Sequence, residues 1–399
     1  MQRKGQFDIV LLVVVLCLLF FGVVMVSSVS VYQSYQITSN MAQKGILDEP
    51  TNSFYLWRHI WRVVIAVPMC FLMMYFPLNV WKKAALWMFI GSILLLLSLF
   101  LPGIGANYGT STSWINLPLI PSLQPAEFVK LALIFYLALW MEKRQELVRS
   151  FQYGFLPFTF LLSAVVILLA LQPDFGSVLV ISVIAASMFF SAGGSIFHIF
   201  GGALFAAGMA YPIIMSKEYI RNRFMVFIDP GIDPLNIGFQ IKQALIAVGS
   251  GGVFGVGFGK SIQKYGYLPE VQGDTIFAAA AEELGFIRIS LLVITFLIIA
   301  YRGYNIANRA PNRFLMLVAV GITSWFVFQA IINIGVNLSL LPLTGLTLPF
   351  VSYGGTSIIV NMMGAGILLN ISRYAQEKTN TSDRRGVRRA YYAQPRNRF

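Results

Sequence analysis

The membrane character of this chain is clearest in the run Tyr267-Leu-Pro-Glu-Val-Gln-Gly-Asp274-Thr-Ile-Phe-Ala-Ala-Ala-Ala-Glu-Glu-Leu-Gly285. A polar segment ends at the carboxylate of Asp274, and an apolar helix is predicted to begin there. That helix carries Glu282 and Glu283 into what should be lipid. Charge at membrane depth is costly and usually faces a cavity or a partner. The chain has only 16 acidic residues, so their grouping here indicates a functional site.

Composition excludes a soluble protein with a single buried core. The chain is 57% hydrophobic and 11% charged, and its mean hydropathy is +0.73. Soluble domains usually have about 25% charged residues. The chain is therefore predicted to be an all-α polytopic membrane protein. Its two cysteines, Cys17 and Cys70, fall within apolar runs and are predicted to be packing residues.

Apolar runs of about 20 residues predict about ten transmembrane helices. The predicted spans are 8–29, 60–78, 84–101, 125–141, 154–172, 177–193, 195–215, 275–301, 314–337 and 356–372. The longest segment between them, 216–274, is predicted to be one large extracytoplasmic loop with an amphipathic helix at 240–249. Residues 1–374 would form the transmembrane domain, and residues 375–399 would form a basic, disordered cytoplasmic tail.

Lys and Arg predict the orientation, because cytoplasmic loops carry more of them than outer loops do. With the N-terminus inside, most of the 29 Lys and Arg face the cytoplasm. The short outer segments 102–124, 173–176 and 338–355 then hold none of them. Both termini are therefore predicted to be cytoplasmic. The net charge of +13 follows largely from this bias and the tail, and does not indicate nucleic-acid binding.

Two of the polar outer segments supply candidate binding residues. Glu127 and Lys130 follow the irregular segment 102–124 and lie three apart, hence on one helix face. They form either a structural ion pair or the wall of a cavity that places a lysine near a phosphate. Ser352 lies in the helix-breaking segment 341–357, whose hydroxyls could bind a sugar or phosphate. The alternative for that segment is a re-entrant turn.

The loop 216–274 combines cations with closely spaced glycines. Arg221 and Arg223 lie near its start, and Lys264 follows the glycine-rich run 249–259. Such glycines let backbone N–H groups approach an anion, although the same run could serve only as a flexible linker. Amide donors together with fixed positive charge suit a diphosphate.

Asp274 is the candidate general base, because it lies beside this cation-rich loop at the outer lipid boundary. A general base must reach the proton of the nucleophile. Asp is also a favoured helix N-cap, so capping of the eighth span is the alternative role. A lipid-anchored substrate with a diphosphate leaving group would suit these parts.

Seven short motifs, in order along the chain, resemble the SEDS family (shape, elongation, division and sporulation), whose members include RodA, FtsW and SpoVE. They are Gln124-Pro-Ala-Glu127-Phe-Val-Lys130, Gln172-Pro-Asp-Phe-Gly176, Arg221-Asn-Arg223-Phe with Asp229-Pro230, Gly255-Val-Gly-Phe-Gly-Lys-Ser-Ile-Gln-Lys264, Tyr267-Leu-Pro-Glu270, Glu282-Glu-Leu-Gly285 and Leu348-Pro-Phe-Val-Ser-Tyr-Gly-Gly355. The resemblance covers about residues 8–374. Within the family, 260–270 and 345–349 look more like the division member FtsW than RodA.

The resemblance implies a peptidoglycan glycosyltransferase that polymerises lipid II at the outer face of the bacterial cytoplasmic (inner) membrane. Asp274 would be the catalytic carboxylate and would activate the 4-hydroxyl of the acceptor sugar for attack, with inversion, on the undecaprenyl-diphosphate-linked glycan. The predicted substrate-binding residues are Glu127, Lys130, Arg221, Arg223, Lys264, Glu283 and Ser352. A divalent cation, Mg²⁺ or Mn²⁺, on the diphosphate is compatible with this chemistry, although the sequence has no dedicated metal cluster. The implied partners are a class B penicillin-binding protein and other division proteins.

Two departures from the family pattern fall at the predicted site. Gln272-Gly273-Asp274-Thr275 stands where the family usually has His-Thr-Asp-Phe, and Ser113 stands where it usually has Arg. Two alternative functions are a lipid II transporter (flippase) and a non-catalytic scaffold of the division complex. A transporter needs polar groups through the full membrane depth, whereas the identifiable groups here cluster on the outer side.

Overall fold

The computed structural model describes residues 5–101, 105–108, 111–117, 120–216, 218–229 and 237–374. Over these residues the chain is a helical bundle with one small sheet. The helices are α1 Ile9–Val29, α2 Val31–Gln43, α3 Phe54–Tyr75, α4 Leu78–Ser98, α5 Pro125–Arg144, α6 Leu156–Leu171, α7 Phe175–Ser191, α8 Ile196–Ser216, α9 Glu218–Ile228, α10 Ile237–Gly251, α11 Ile276–Asn308, α12 Arg313–Asn337 and α13 Gly355–Ser372. A 3₁₀ turn, Gln145–Arg149, and a π turn, Phe151–Phe155, join α5 to α6. The predicted tail, 375–399, lies outside the described residues.

The prediction of a polytopic helical membrane protein is confirmed. Every predicted span corresponds to one helix, namely α1, α3 to α8 and α11 to α13. Among the described residues, 7 helices are long and apolar enough to cross a membrane. The other three are α7 and α8, whose apolar stretches are short, and α5, which carries charge near both ends. The count of ten spans therefore stays a prediction.

Helix boundaries differ from the predicted ones where a helix begins with polar or aromatic residues. The second span was expected from residue 60, but α3 begins at Phe54. Hydropathy averages miss this first turn and a half because it contains Arg58 and His59. The polar helix α2 was not predicted for the same reason.

The outer segments contain more regular structure than expected. The segment 102–124, predicted to be irregular, contains the antiparallel strands β1 Gly105–Tyr108, β2 Ser111–Leu117 and β3 Ile120–Leu123 in the order β1-β2-β3. The segment 216–274, expected to be mostly loop, contains α9 as well as the amphipathic helix predicted at 240–249, which is α10. Two helices thus lie between α8 and the approach to Asp274.

Small residues allow close helix packing around the centre of the bundle. A Cβ atom at Gly366 of α13 would collide with the backbone carbonyl of Cys70 in α3. Such small-residue contacts are the usual way for membrane helices to approach closely. The most apolar windows of both α12 and α13 are 83% buried, so these helices form the core on which the neighbouring loops are fixed.

An ion pair marks the end of the bundle opposite Asp274. Arg302 Nη2 lies 2.8 Å from Asp8 Oδ2, and this pair joins the last third of α11 to the start of α1. Asp274 directly precedes the other end of α11. The orientation predicted from Lys and Arg therefore puts Arg302 at the cytoplasmic face and Asp274 at the outer face.

Candidate active site

Asp274 lies at the point where α11 begins, with its backbone held by α12. The amide nitrogens of Asn333 and Asn337 donate to the Asp274 carbonyl oxygen at 2.8 and 2.9 Å. Asp274 is not the N-cap of α11, because that position is occupied by Thr275 and no side-chain cap hydrogen bond is formed there. The capping alternative is therefore wrong, and the carboxyl group is left for another role.

The Asp274 carboxyl group is only partly exposed, and its environment favours the neutral form. Burial raises its pKa to about 7, and the nearby charge of Glu270 adds to the rise. A backbone hydrogen bond, Gln240 and Arg223 act in the opposite direction. Among the described residues, Oδ1 has no hydrogen-bond partner. A carboxyl group with a pKa near neutrality and an unpartnered oxygen is suited to take a proton from a substrate.

The approach to Asp274 is a tightly bonded turn. The Gly273 amide donates to the Glu270 carbonyl at 2.8 Å, and the Thr275 hydroxyl donates to the Pro269 carbonyl at 2.7 Å. The Tyr353 amide donates to the Gln272 carbonyl at 2.8 Å, which ties this turn to the segment before α13. Asp274 is thus presented from an ordered backbone.

Arg223 is the predicted binding residue that the structure brings to Asp274. It lies on α9, and its positive charge is one of the causes that hold down the pKa of Asp274. Its Nη1 donates to the Leu343 carbonyl at 3.0 Å, so α9 is attached to the loop after α12. Arg221 lies on the same helix and is exposed.

Glu127 and Lys130 form the predicted ion pair on α5, with Nζ to Oε1 at 2.8 Å. Both residues are buried, with exposed fractions of 3% and 0%. Lys130 Nζ also donates to Gln329 Oε1 at 2.9 Å and lies 5.0 Å from the centre of the Trp325 ring. The structural-pair alternative describes this geometry well, and a substrate contact for either residue stays a prediction.

Lys264 and Glu283 are placed away from Asp274. Glu283 lies roughly 13 Å further along α11, at about 1.5 Å per residue. Lys264 Nζ donates to Glu283 Oε1 and Ser28 Oγ, each at 3.1 Å, and to the Gly259 carbonyl at 2.6 Å. An ammonium group has three donors, and all three are used within the protein. The geometry does not support the predicted contact of Lys264 with a diphosphate.

Glu282 is likewise bound within the protein. Its carboxylate accepts a hydrogen bond from the Ser261 hydroxyl and one from the Ile262 amide. Both carboxylates of the pair at 282 and 283 therefore hold the segment 259–264 against α11. The sequence left open which of them faces a cavity, and in the structure both have partners of their own.

Ser352 stabilises a turn. Its hydroxyl accepts a hydrogen bond from the Leu348 amide at 2.8 Å, and the side chain is 3% exposed. The helix-breaking segment was predicted either to bind a sugar or phosphate or to form a turn tied to neighbouring helices. The observed contacts are those of the turn.

Several side chains near this end of the bundle were not recognised in the sequence. Besides Asn333 and Asn337, the guanidinium of Arg62 stacks on the Tyr353 ring, with its Cζ 4.2 Å from the ring centre. The signal for the two asparagines was available as polar residues four apart within an apolar span. It was missed because only charged residues were weighed at membrane depth.

The described residues contain no group of three or more His, Cys, Asp or Glu side chains that could hold a metal ion. Among the described residues, the charges that act on the Asp274 carboxyl group are those of one further carboxylate, Glu270, and of Arg223. This donor set does not fit a metal ion held by the protein alone.

Comparison with known proteins extends these observations over nearly the whole chain. A family model described as "Cell cycle protein", FTSW_RODA_SPOVE, matches residues 8–377. The chain is 37% identical over 373 residues to "Probable peptidoglycan glycosyltransferase FtsW" of Geobacter sp. (strain M18), covering 93% of this chain and 98% of that protein. It is 38% identical over 376 residues to "Stage V sporulation protein E" of Bacillus subtilis (strain 168), covering 94% and 99%.

Solved structures share the fold. A chain of the assembly described as "Structural coordination of polymerization and crosslinking by a peptidoglycan synthase complex" superposes with a TM-score of 0.74 at 26% identity, over 93% of this chain and 99% of that chain. The rod shape determining protein RodA of Thermus thermophilus superposes with a TM-score of 0.67 at 25% identity, over 93% and 98%. In both cases the likeness spans nearly the full length of the two chains.

Proposed function

The chain belongs to the FtsW, RodA and SpoVE family of cell cycle proteins, and from this membership we propose that it is a multi-pass inner-membrane peptidoglycan glycosyltransferase that polymerises lipid II. The observation that carries the proposal is the Asp274 carboxyl group, whose pKa is raised to about 7 by burial and the charge of Glu270, against the opposing effect of Arg223. Curated relatives that are 36% to 37% identical to this chain are named probable peptidoglycan glycosyltransferases.

The reaction uses Asp274 as general base. Its carboxylate takes the proton of the 4-hydroxyl of the acceptor sugar while that oxygen attacks the anomeric carbon of the donor glycan. The bond from the anomeric carbon to the diphosphate breaks, the configuration inverts, and undecaprenyl diphosphate leaves. Positive charge near the leaving group stabilises the charge that develops on it. Arg223 is our candidate for this role, because it is the predicted cation that acts electrostatically on Asp274.

The departures from the family pattern are compatible with this role. Gln272 replaces the usual histidine and is only 5% exposed. Its backbone carbonyl accepts a hydrogen bond from the Tyr353 amide, so the turn is still tied to the segment before α13. Ser113 replaces the usual arginine, and its hydroxyl donates to the Gln172 carbonyl at 3.3 Å. Neither replacement removes the carboxyl group of Asp274 or the turn that presents it.

Two further assignments belong to the proposal. A single-span class B penicillin-binding protein would crosslink the strand, in keeping with the similarity to a chain of a peptidoglycan synthase complex. Mg²⁺ or Mn²⁺ would be carried by the substrate diphosphate and not by a site of the protein. Chelation of divalent cations during the polymerisation assay tests the role of the metal ion. An unchanged rate of polymerisation would refute that role.

The test is polymerisation of purified lipid II by the purified protein together with its penicillin-binding partner. We expect glycan strands and release of undecaprenyl diphosphate. Reconstituted vesicles with labelled lipid II on one leaflet test the transporter alternative in parallel. Translocation without polymer would contradict the proposed function and favour the transporter, and neither activity would favour a scaffold.

A further inference from the structure

Three buried amides lie one helical turn apart on a single face of α12. Gln329, Asn333 and Asn337 have exposed fractions of 0%, 1% and 1%. Residues four apart on a helix are neighbours, so the three side chains form a continuous row, which we call the amide row. The row begins at the end of α12 that faces Asp274 and extends two turns into the bundle.

The two asparagines use all of their donors. Asn337 Nδ2 donates to the Asp274 carbonyl at 2.9 Å and to the Asn333 carbonyl at 2.9 Å. Asn333 Nδ2 donates to the Asp274 carbonyl at 2.8 Å and to the Leu346 carbonyl at 2.7 Å. An amide side chain has two N–H groups, so none is left for a substrate. Their function must be exerted through the groups they hold.

The carbonyl that they hold is not part of the α11 hydrogen-bond ladder. The first helical bonds run from the amides of Ala278 and Ala279 to the Thr275 carbonyl, one residue after Asp274. Two donors on one free carbonyl fix the plane of the peptide between Asp274 and Thr275. This restrains the Cα atom of Asp274, from which the carboxyl group extends.

This arrangement has a cost that packing alone does not explain. The Oδ1 atoms of Asn333 and Asn337 have no hydrogen-bond partner among the described residues. A buried polar atom without a partner costs about 1–3 kcal/mol, and an apolar side chain of the same size would avoid that cost at Oδ1 but would lose the hydrogen bonds to the Asp274 and Leu346 carbonyls. Two such atoms on one membrane helix therefore point to a benefit at the carbonyl they hold.

The amide row also connects the Glu127–Lys130 pair with the backbone at Asp274. One turn deeper than Asn333, Gln329 accepts from Lys130 Nζ at 2.9 Å and donates to the Thr347 carbonyl at 2.9 Å. The same helix face thus fixes the Glu127–Lys130 pair, the loop before α13 and the backbone at Asp274 relative to one another.

We propose that Asn333 and Asn337 are positioning residues, which clamp the backbone at Asp274 and so aim its carboxylate at the acceptor hydroxyl. The proposal rests on the function proposed above, because it assigns a role within that reaction. A displacement of about 1 Å at a reacting group can cost on the order of 10²-fold in rate. Loss of the clamp should therefore lower kcat while substrate affinity is retained.

The experiment compares Asn337→Leu and Asn337→Thr with a matched control in the lipid II polymerisation assay. Leu has a similar size without donors, and Thr is too short to reach the Asp274 carbonyl. The control is Asn370→Leu in α13, since Asn370 is also 1% exposed and also clamps two backbone carbonyls, those of Met73 and Phe76, far from Asp274. Thermal unfolding of each variant in detergent gives the loss of stability.

We expect both Asn337 variants to lose on the order of 10- to 100-fold in kcat with an unchanged KM for lipid II. Asn370→Leu should lose comparable stability and keep its kcat per folded molecule. Wild-type kcat in both Asn337 variants, or an equal loss in Asn370→Leu, would overturn the positioning role while leaving the proposed function intact. Absence of polymer with the wild-type protein would remove both.

Discussion

At the scale of single residues, the proposed reaction depends on a carboxyl group that is kept from full hydration. The pKa of Asp274 rises to about 7 because burial and Glu270 disfavour its charge. When folding raises the pKa of an acid, the folded state loses stability as the pH increases from the pKa of the unfolded chain to the pKa of the folded protein. For Asp274 these pKa values are 3.8 and about 7. The ionised Asp274 is therefore a local destabilising feature at neutral pH and above.

Replacing Asp274 with Asn should stabilise the protein in a pH-dependent way. We expect Asp274→Asn to raise the free energy of unfolding by about 1–3 kcal/mol at pH 8, and by less at pH 5, because one pKa unit corresponds to about 1.36 kcal/mol. Thermal unfolding in detergent at the two pH values measures the difference. An equal effect at pH 5 and pH 8 would show that Asp274 titrates normally.

Arg223 should set the pH at which Asp274 ionises. Removing its positive charge in Arg223→Gln takes away a cause that lowers the pKa of Asp274, so the acid limb of the rate profile should move to higher pH. The control is Arg221→Gln, an exposed arginine on the same helix. The measurement is kcat against pH, and a midpoint that shifts equally in both variants would argue against a specific contact of Arg223.

Site residues could be predicted where a charge stands beside an apolar span. They were harder to predict where a polar side chain forms hydrogen bonds with the backbone. Asp274 was predicted because it borders an apolar span in which charge is scarce, and Arg223 because it belongs to the cation-rich loop before that span. Lys264 was expected at a diphosphate, but its partners, Glu283 and Ser28, are remote in sequence and invisible to local patterns. Asn337 was missed because it carries no charge, and charge was the signal by which site residues inside apolar spans were recognised.

At the scale of elements, α11 is interrupted at Gly285, and the glycine-rich run 249–259 supplies hydrogen-bond partners to the backbone at the break. Gly285 has φ of +76°, and a Cβ there would collide with the backbone of Gly255. The Val256 amide donates to the Glu282 carbonyl at 3.0 Å, and the Phe286 amide donates to the Gly252 carbonyl at 2.9 Å. Backbone groups freed by a break inside a membrane protein need such partners.

The glycine-rich run therefore has a structural role that the sequence did not separate from anion binding. The backbone amides of Val256 and Gly257 donate hydrogen bonds to carbonyls of α11 and are not available to an anion. The sequence indicated that the backbone of this run approaches another group closely. It did not indicate that this group is the backbone of α11. Helix existence was predictable from apolar runs, whereas the strands β1 to β3 were not, since their short polar sequences lack a clear alternating pattern.

Lys264 and Glu283 should behave as a buried structural pair. Breaking it in Lys264→Met or Glu283→Gln leaves one buried charge and should cost about 3–5 kcal/mol of stability. The double variant should lose less than the sum, by about 0.5–3 kcal/mol. The control pair is Lys82 and Glu142, whose side chains are 43% and 20% exposed.

Thermal unfolding of the two single variants, the double variant and the wild type measures this coupling, and the equivalent substitutions of Lys82 and Glu142 should change stability by about 1 kcal/mol or less. A Lys264→Met variant with wild-type stability and a raised KM for lipid II would contradict the structural role. It would instead restore the diphosphate contact expected from the sequence.

At the scale of the whole molecule, the two ends of the bundle should face opposite sides of the membrane. In a variant with Cys17 and Cys70 replaced by Ser, single cysteines are introduced at Gln6 and at Tyr267, both of which are exposed. A membrane-impermeant maleimide added to spheroplasts should label the cysteine at 267 and spare the one at 6. The reverse labelling pattern would place Asp274 in the cytoplasm and contradict an outward-facing reaction.

The most direct measurement is the rate of lipid II polymerisation by Asp274→Asn beside the wild type, with the penicillin-binding partner present and at a pH above 7. The substitution keeps the shape of the side chain and is expected to preserve or increase stability, so a loss of rate cannot come from unfolding. We predict a fall of about 10²- to 10⁴-fold, the usual contribution of a general base. Polymerisation by Asp274→Asn at the wild-type rate would contradict the assignment of Asp274 as the base.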